Sequence, residues 1–208
     1  VRWPGKIAAG KRSDAIVQYA DIAPTFLAAA GGDPAQYEFD GSSFLPVLNG
    51  KAKAHRQFAY GLHNNLPEGP AYPIRTITNG KYRYIRNLLP KKLYIEKHLM
   101  GQRGSGDLNN PYWATWIFAS ADKPATYRLV SRYMHRPAEQ LYLTSEDPYE
   151  MQNLARDKAH AKVKAELSAE LDKWLAAQGD PGAPQDTNKA LQAARQGKHL
   201  YTPPTRQE

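Results

Sequence analysis

Cysteine is absent from this 208-residue chain, which excludes disulfides, thiolate metal sites and a cysteine nucleophile within it. No apolar run approaches the roughly 18 residues that a membrane-spanning helix needs, so no membrane span is expected. A Gly-rich phosphate loop, a Gly-x-Ser-x-Gly elbow and a pair of carboxylates placed for acid–base work are also missing. The histidines are His55, His63, His98, His135, His160 and His199, and no two lie four residues apart, so none form a helical metal pair. Acidic residues are the scarcer charge: 20 Asp and Glu stand against 28 Lys and Arg, a net charge of +8. Such an excess suits an anionic partner (nucleic acid, a membrane surface or an acidic polysaccharide) and equally suits plain solubility. Recognised nucleic-acid motifs are lacking, so no nucleic-acid partner is expected.

With 41% hydrophobic residues, the chain is able to bury a core as one domain or two small ones. Val1-Arg2-Trp3-Pro4-Gly5 reads as the end of a strand broken by Pro-Gly, with no initiator Met or signal-peptide pattern. The expectation is a piece of a longer protein. Ala15-Ile16-Val17 is strand-like. Asp21 is placed to cap a helix with Pro24 in its first turn, Phe26, Leu27 and Ala30 on its apolar face, and Gly31-Gly32 as its stop. "DGSSFLPVLNG" at 40–50 adds a turn, a short helix and another glycine stop. Residues 1–55 therefore read as alternating strand and helix, an α/β pattern.

From residue 56 the period changes. Phe58–Gly61, Ile74–Ile77, Tyr82–Ile85 and Leu141–Leu143 are short runs rich in aromatic and β-branched residues, and Asn79-Gly80 predicts a hairpin between the second and third. A helix is predicted over about 159–177, with Val163, Leu167, Leu171, Trp174 and Leu175 on one stripe. Residues 56–180 thus read as a small antiparallel sheet backed by a helix, an α+β layer, and 181–208 as a polar, loosely packed tail. The connection at 88–138 holds Tyr94, Tyr112, Trp113, Trp116, Phe118, Tyr127 and Tyr133 among many basic residues. So aromatic a segment argues against disorder; it suits sugar or base stacking, a satellite core or a subunit contact.

Three places invite chemistry. "QLYLTSEDPYEMQNLA" at 140–155 crowds acidic groups together, but Asp147 before Pro148 and the later Asn153 are what a strand-to-helix connection uses to hold backbone N–H groups, so it reads as punctuation. His63 ends a predicted strand and enters a Gly/Pro-rich loop, where binding groups are often mounted. Arg75 shares a strand face with Ile77, which implies a partly buried guanidinium needing an anion: an internal carboxylate, or a sulfate, phosphate or carboxylate from outside.

Taken in order and spacing, "VRWPGKIAAGKRSD", "VQYADIAPTFLAAAG", "DGSSFLPVLNG", "YPIRTITNGKYRYIRNL" and "EQLYLTSEDPYEMQNLA" resemble the C-terminal part of the sulfatase family, in the alkaline-phosphatase-like superfamily and nearest its heparan N-sulfatase (sulfamidase) branch. The likeness runs over about residues 1–178. It implies an α/β fragment of an alkaline-phosphatase-like domain (1–55), then an α+β C-terminal subdomain of small antiparallel sheet and terminal helix (56–180, with the aromatic insertion at 88–138). It implies hydrolysis of sulfate esters or sulfamates by a formylglycine, made from Cys or Ser in Cys/Ser-x-Pro-x-Arg, with calcium held by Asp and Asn. In such proteins those groups precede residue 1, and no Ser here, Ser42-Ser43 included, lies in that motif. The resemblance therefore implies no catalytic residue and no metal ligand in this chain, which alone should be inactive. Its implied share is substrate recognition through His63 and Arg75, with a sulfated glycan and the missing N-terminal catalytic portion as partners, in the periplasm, outside the cell or in a lysosome. A non-catalytic binding module for sulfated polysaccharide is the alternative.

Overall fold

The computed structural model describes residues 1–100 and 111–198. Among them run four strands, β1 (Ala59–His63), β2 (Ile74–Thr78), β3 (Tyr82–Asn87) and β4 (Glu139–Leu143), and seven α-helices, α1 (Ile22–Ala29), α2 (Leu45–Leu48), α3 (Lys97–Met100), α4 (Pro111–Asp122), α5 (Pro124–Met134), α6 (Ala161–Ala177) and α7 (Asn188–Arg195). The strands form one antiparallel sheet in the order β1-β2-β3-β4. The β2–β3 turn is built as its sequence predicts, with a refinement: Gly80 alone takes a positive φ of 85°. Asn79 contributes its side chain instead, accepting the N–H groups of Lys81 and Tyr82 at 3.1 and 2.8 Å.

Strand pairing sets two rows of side chains on the sheet face that meets α6. The first is Tyr60, Ile77, Tyr84 and Leu141, each directly opposite the next across the strands. Ile77, Tyr84 and Leu141 pack against Leu167, Leu171 and Leu175, the predicted stripe of α6. Full burial of each such side chain contributes roughly 1.5–3 kcal/mol, which makes this the main core. The second row, Leu62, Arg75, Arg86 and Glu139, carries charge. It grips the same helix and the turn after it: Arg86 donates to Asp172 and Ser168 at 2.5 and 2.9 Å, Lys164 to Glu139 at 3.1 Å, and Arg75 to Asp180 at 2.8 Å.

Residues 1–58 contain helices but no strand. Ile16 forms only an isolated bridge with Arg56, because a strand needs a neighbouring strand for its N–H and C=O groups; the strand expected at Ala15–Val17 is corrected to extended chain. Helix α1 ends at glycine as expected, with Gly31 at φ 87° and the Gly32 N–H returning to the Leu27 carbonyl at 3.0 Å. Asp21 lies at the α1 N-cap position yet makes no cap hydrogen bond there. Its carboxylate turns inward to Arg56 and to the N–H groups of Gln18 and Ser42. Gly41 passes so close to the backbone of Ala20 that no side chain fits.

Among its described residues the 88–138 insertion carries α3, α4 and α5. Met100, Trp113 and Val130 form a second core with Ile95, Leu99, Tyr133 and Met134, while Tyr112, Trp116, Phe118 and Tyr127 stay exposed. At 144–155 the punctuation reading matches the geometry. Asp147 accepts the N–H groups of Met151 and Gln152 at 2.9 and 2.8 Å, and Asn153 those of Leu141 and Ala155. Glu150 sits at φ 55° and pairs with Arg83 at 2.6 Å. The tail expectation is corrected over 181–198: Asp186 is buried and α7 is capped by Thr187. Residues 199–208, with His199, lie outside the described residues, as do 101–110 of the insertion.

Candidate functional site

Arg75 and Ile77 share a face, as alternation predicts, and both are fully buried. The anion that Arg75 needs is internal. Its Nε and Nη2 donate to the two oxygens of Asp180 at 2.8 and 2.9 Å. Its Nη1 is shared among the His63 and Ile74 carbonyls and the Asn64 side chain at 3.0–3.3 Å. A guanidinium has five N–H donors in a rigid fork, and these contacts engage all three nitrogens. Nothing remains to offer a sugar, so the substrate-binding role expected of Arg75 gives way to that of a clasp.

What the clasp holds is the end of β1 and the loop that follows. Asp186 accepts the backbone N–H groups of Asn65, Leu66 and Tyr72 at 2.8, 3.0 and 2.6 Å. Asn65, also buried, donates to the Pro70 and Ile95 carbonyls, both at 2.7 Å. His63 stands at the mouth of this loop, partly buried, with Nε2 3.4 Å from the side-chain Oδ1 of Asn65. The loop is therefore held fixed by the buried side chains of Asp186 and Asn65, which tie it to chain outside it.

Beside it lies an aromatic cluster with one guanidinium. Tyr94 meets His63, Tyr72 and Tyr133 edge-on, at centroid distances of 6.1, 5.3 and 5.5 Å. Arg136 covers the Tyr94 ring at 3.8 Å and lies 5.0 Å from Tyr133. Burial raises the hydroxyl pKa of all three tyrosines, Tyr133 to about 12, and the Arg136 charge partly opposes it. The sequence gives no local signal for this cluster: Arg136 sits in "YMHRPAE", and only the fold brings it onto Tyr94. A rigid loop, aromatic walls and a stacked guanidinium suit recognition of an anionic, partly apolar ligand such as a charged sugar.

A second polar node has the composition of a catalytic triad without its geometry. Ser42 Oγ and Asp21 both approach the same His55 nitrogen, Nε2, at 3.5 and 3.3 Å. A relay needs serine on one ring nitrogen and carboxylate on the other, so this node ties α1 to the segment before β1. Burial pushes the Asp21 carboxyl up, but hydrogen bonds from Arg56, Gln18 and Ser42 outweigh it and hold the group far below the usual carboxylate range. Among the described residues no group of three His, Asp or Glu is arranged to hold a metal ion, and no helix is long and apolar enough to cross a membrane.

Comparison with known proteins shows what the chain as a whole resembles. The family model described as N-sulphoglucosamine sulphohydrolase, C-terminal, matches residues 1–96. An ulvan-active sulfatase of Formosa agariphila is 31% identical over 185 residues, covering 86% of this chain and 32% of the relative. The human N-sulphoglucosamine sulphohydrolase is 28% identical over 182 residues, covering 83% and 34%. The chain thus spans about a third of the length of these curated relatives. A solved structure described as a complex with its substrate D-glucosamine-2-N,6-O-disulfate shares the fold, with a TM-score of 0.54 and 23% identity over 84% of this chain and 27% of that one.

Proposed function

Because the chain is a C-terminal sulfatase region of alkaline-phosphatase-like fold, we propose that the full-length protein hydrolyses sulfate esters or sulfamates of a sulfated glycan, and that this chain supplies recognition surface rather than reacting groups. The observation that carries this reading is the alignment of 86% of the chain with an ulvan-active sulfatase at 31% identity. The net charge of +8 supports an anionic substrate. The loop after β1, with His63 at its mouth, is the surface of this chain that faces the glycan, and Arg75 holds that surface in shape.

The reacting groups belong to the partner portion of the same protein. A formylglycine nucleophile and a calcium ion are the chemistry proposed there, with every ligand outside this chain. The glycan substrate also places the protein outside the cytoplasm, in the periplasm, the exterior or a lysosome.

The test is direct. The full-length protein should release sulfate from sulfated oligosaccharides, and the 208-residue chain alone should release none above a buffer blank. Turnover by the isolated chain would sink the division of labour. Binding of sulfated oligosaccharide by the full-length protein without release of sulfate would replace the enzyme by a binding module.

A further inference from the structure

Resting on the sulfatase reading, we propose that Arg136 is the residue of this chain that binds an oxyanion of the glycan, a sulfate or carboxylate group carried on a sugar. Arg56, Arg75, Arg83 and Arg86 each pair with a carboxylate: Asp21, Asp180, Glu150 and Asp172 in turn. Arg132 directs its donors to the Met151 sulfur and the Tyr142 hydroxyl. Arg136 differs. Its Nε donates to the Tyr133 carbonyl at 3.1 Å, its flat face lies on Tyr94, and its terminal nitrogens meet no protein acceptor among the described residues.

A partly buried guanidinium has lost part of its hydration, which an anion on its terminal nitrogens would offset; Glu96 lends negative charge to the same cluster through Tyr94 and Tyr133. The ring beneath it and the single Nε bond fix the plane of the fork. A fixed fork is what bidentate recognition of two oxygens requires, because little side-chain entropy is lost on binding.

An independent observation points to the same place. The Tyr72 hydroxyl is fully buried and has no hydrogen-bond partner among the described residues. Buried hydroxyls are nearly always paired. Tyr72 meets Tyr94 edge-on at 5.3 Å and lies within reach of the Arg136 charge. His63 closes the cluster from the end of β1. Two segments distant in sequence, the end of β1 and its loop with His63 and Tyr72 and the chain just past α5 with Arg136, thus bring an imidazole, a hydroxyl without a partner among the described residues and the terminal nitrogens of a guanidinium around Tyr94.

Calorimetric titration of the full-length protein tests this, with one arm a sulfated oligosaccharide lacking uronic acid and the other an unsulfated uronic-acid oligosaccharide. Arg136→Ala should weaken binding about tenfold or more in the arm that carries the recognised group, as loss of a charge-assisted contact does. Arg136→Lys should recover only part of it, and Lys162→Ala, an exposed control on α6, should bind as wild type does. Unchanged affinity in both arms overturns the proposal, as does failure of the wild type to bind either sugar. A lowered melting temperature with unchanged affinity overturns it too, since the partner is then an internal carboxylate elsewhere in the protein. The readout is binding, so a protein that binds but releases no sulfate sinks the proposed activity and leaves this outcome intact.

Discussion

Trp174 of α6 lies flat on Tyr60 of β1, with ring centroids 4.6 Å apart and planes within 4° of parallel. The Tyr60 hydroxyl donates to Glu170, one turn earlier on the same helix, at 3.1 Å. Helix and edge strand are thus joined by a stack and a hydrogen bond on one side chain. Trp174 is only partly buried, so Trp174→Ala should cost about 2 kcal/mol, below the 3–5 kcal/mol of a fully buried ring. Denaturant unfolding measures it. A loss under about 0.5 kcal/mol would show that the stack contributes little.

The Arg75–Asp180 clasp gives a sharper test. Arg75→Ala leaves Asp180 buried and unpaired and should cost about 3–5 kcal/mol. Replacing both residues with apolar ones of similar size, Arg75→Met with Asp180→Leu, should restore much of the loss. If Arg75→Ala instead weakens glycan binding while the unfolding midpoint stays put, its fork is available to substrate after all.

Acid should act through Asp21. Its folded pKa is depressed below the ordinary 3.8, so its contribution is fully present above the unfolded value and is withdrawn as pH falls below about 4. Asp21→Asn should destabilise at neutral pH by roughly 2–4 kcal/mol, since it breaks a largely buried pair. The gap between wild type and variant should then narrow below pH 4. A gap constant from pH 7 to pH 3 would disprove the coupling.

Alkali should act through tyrosine. Burial raises Tyr60 and Tyr133 to about 12 from 10.0, helped at Tyr60 by the Glu170 hydrogen bond and at Tyr133 by neighbouring Tyr94. For a raised folded pKa the stabilisation is complete below the unfolded value of 10.0 and is lost as pH rises toward 12. Melting temperature should therefore fall across pH 10–12, and less steeply in Tyr60→Phe. An ultraviolet titration that finds every tyrosine ionising near 10 would refute it.

Much of the sheet layer was legible because its signals are local. Alternation marked the strands, Asn79-Gly80 marked the hairpin, and the Leu167, Leu171, Leu175 stripe marked α6. Asp147 and Asn153 were readable as connectors because their partners lie within a few residues or on the adjacent strand. Helices α4 and α5 were not, since aromatic residues fall on both their faces: Trp113 is buried while neighbouring Tyr112 and Trp116 are exposed. Asp180 and Asp186 stand in "GDPG" and "APQDTN", ordinary turn sequences, and nothing local records partners so far upstream. For the same reason strand alternation shows that Arg75 needs an anion, internal or external, but nothing in the sequence singles out Asp180. The sequence marks His63 as a strand end, but the Tyr94–Arg136 stack beside it comes only from the fold.

The acidic clasps also set a timetable. Asp180 and Asp186 reach back 105 and 121 residues to Arg75 and Asn65, whereas the β2–β3 hairpin closes over a three-residue turn at 79–81. A ribosome emits the hairpin long before the clasps, and local contacts form faster than distant ones. The loop after β1 thus takes its final shape among the last parts of this chain, once the segment beyond α6 has emerged. A nascent chain stopped short of Asp180 would display the sheet with the loop after β1 still unset.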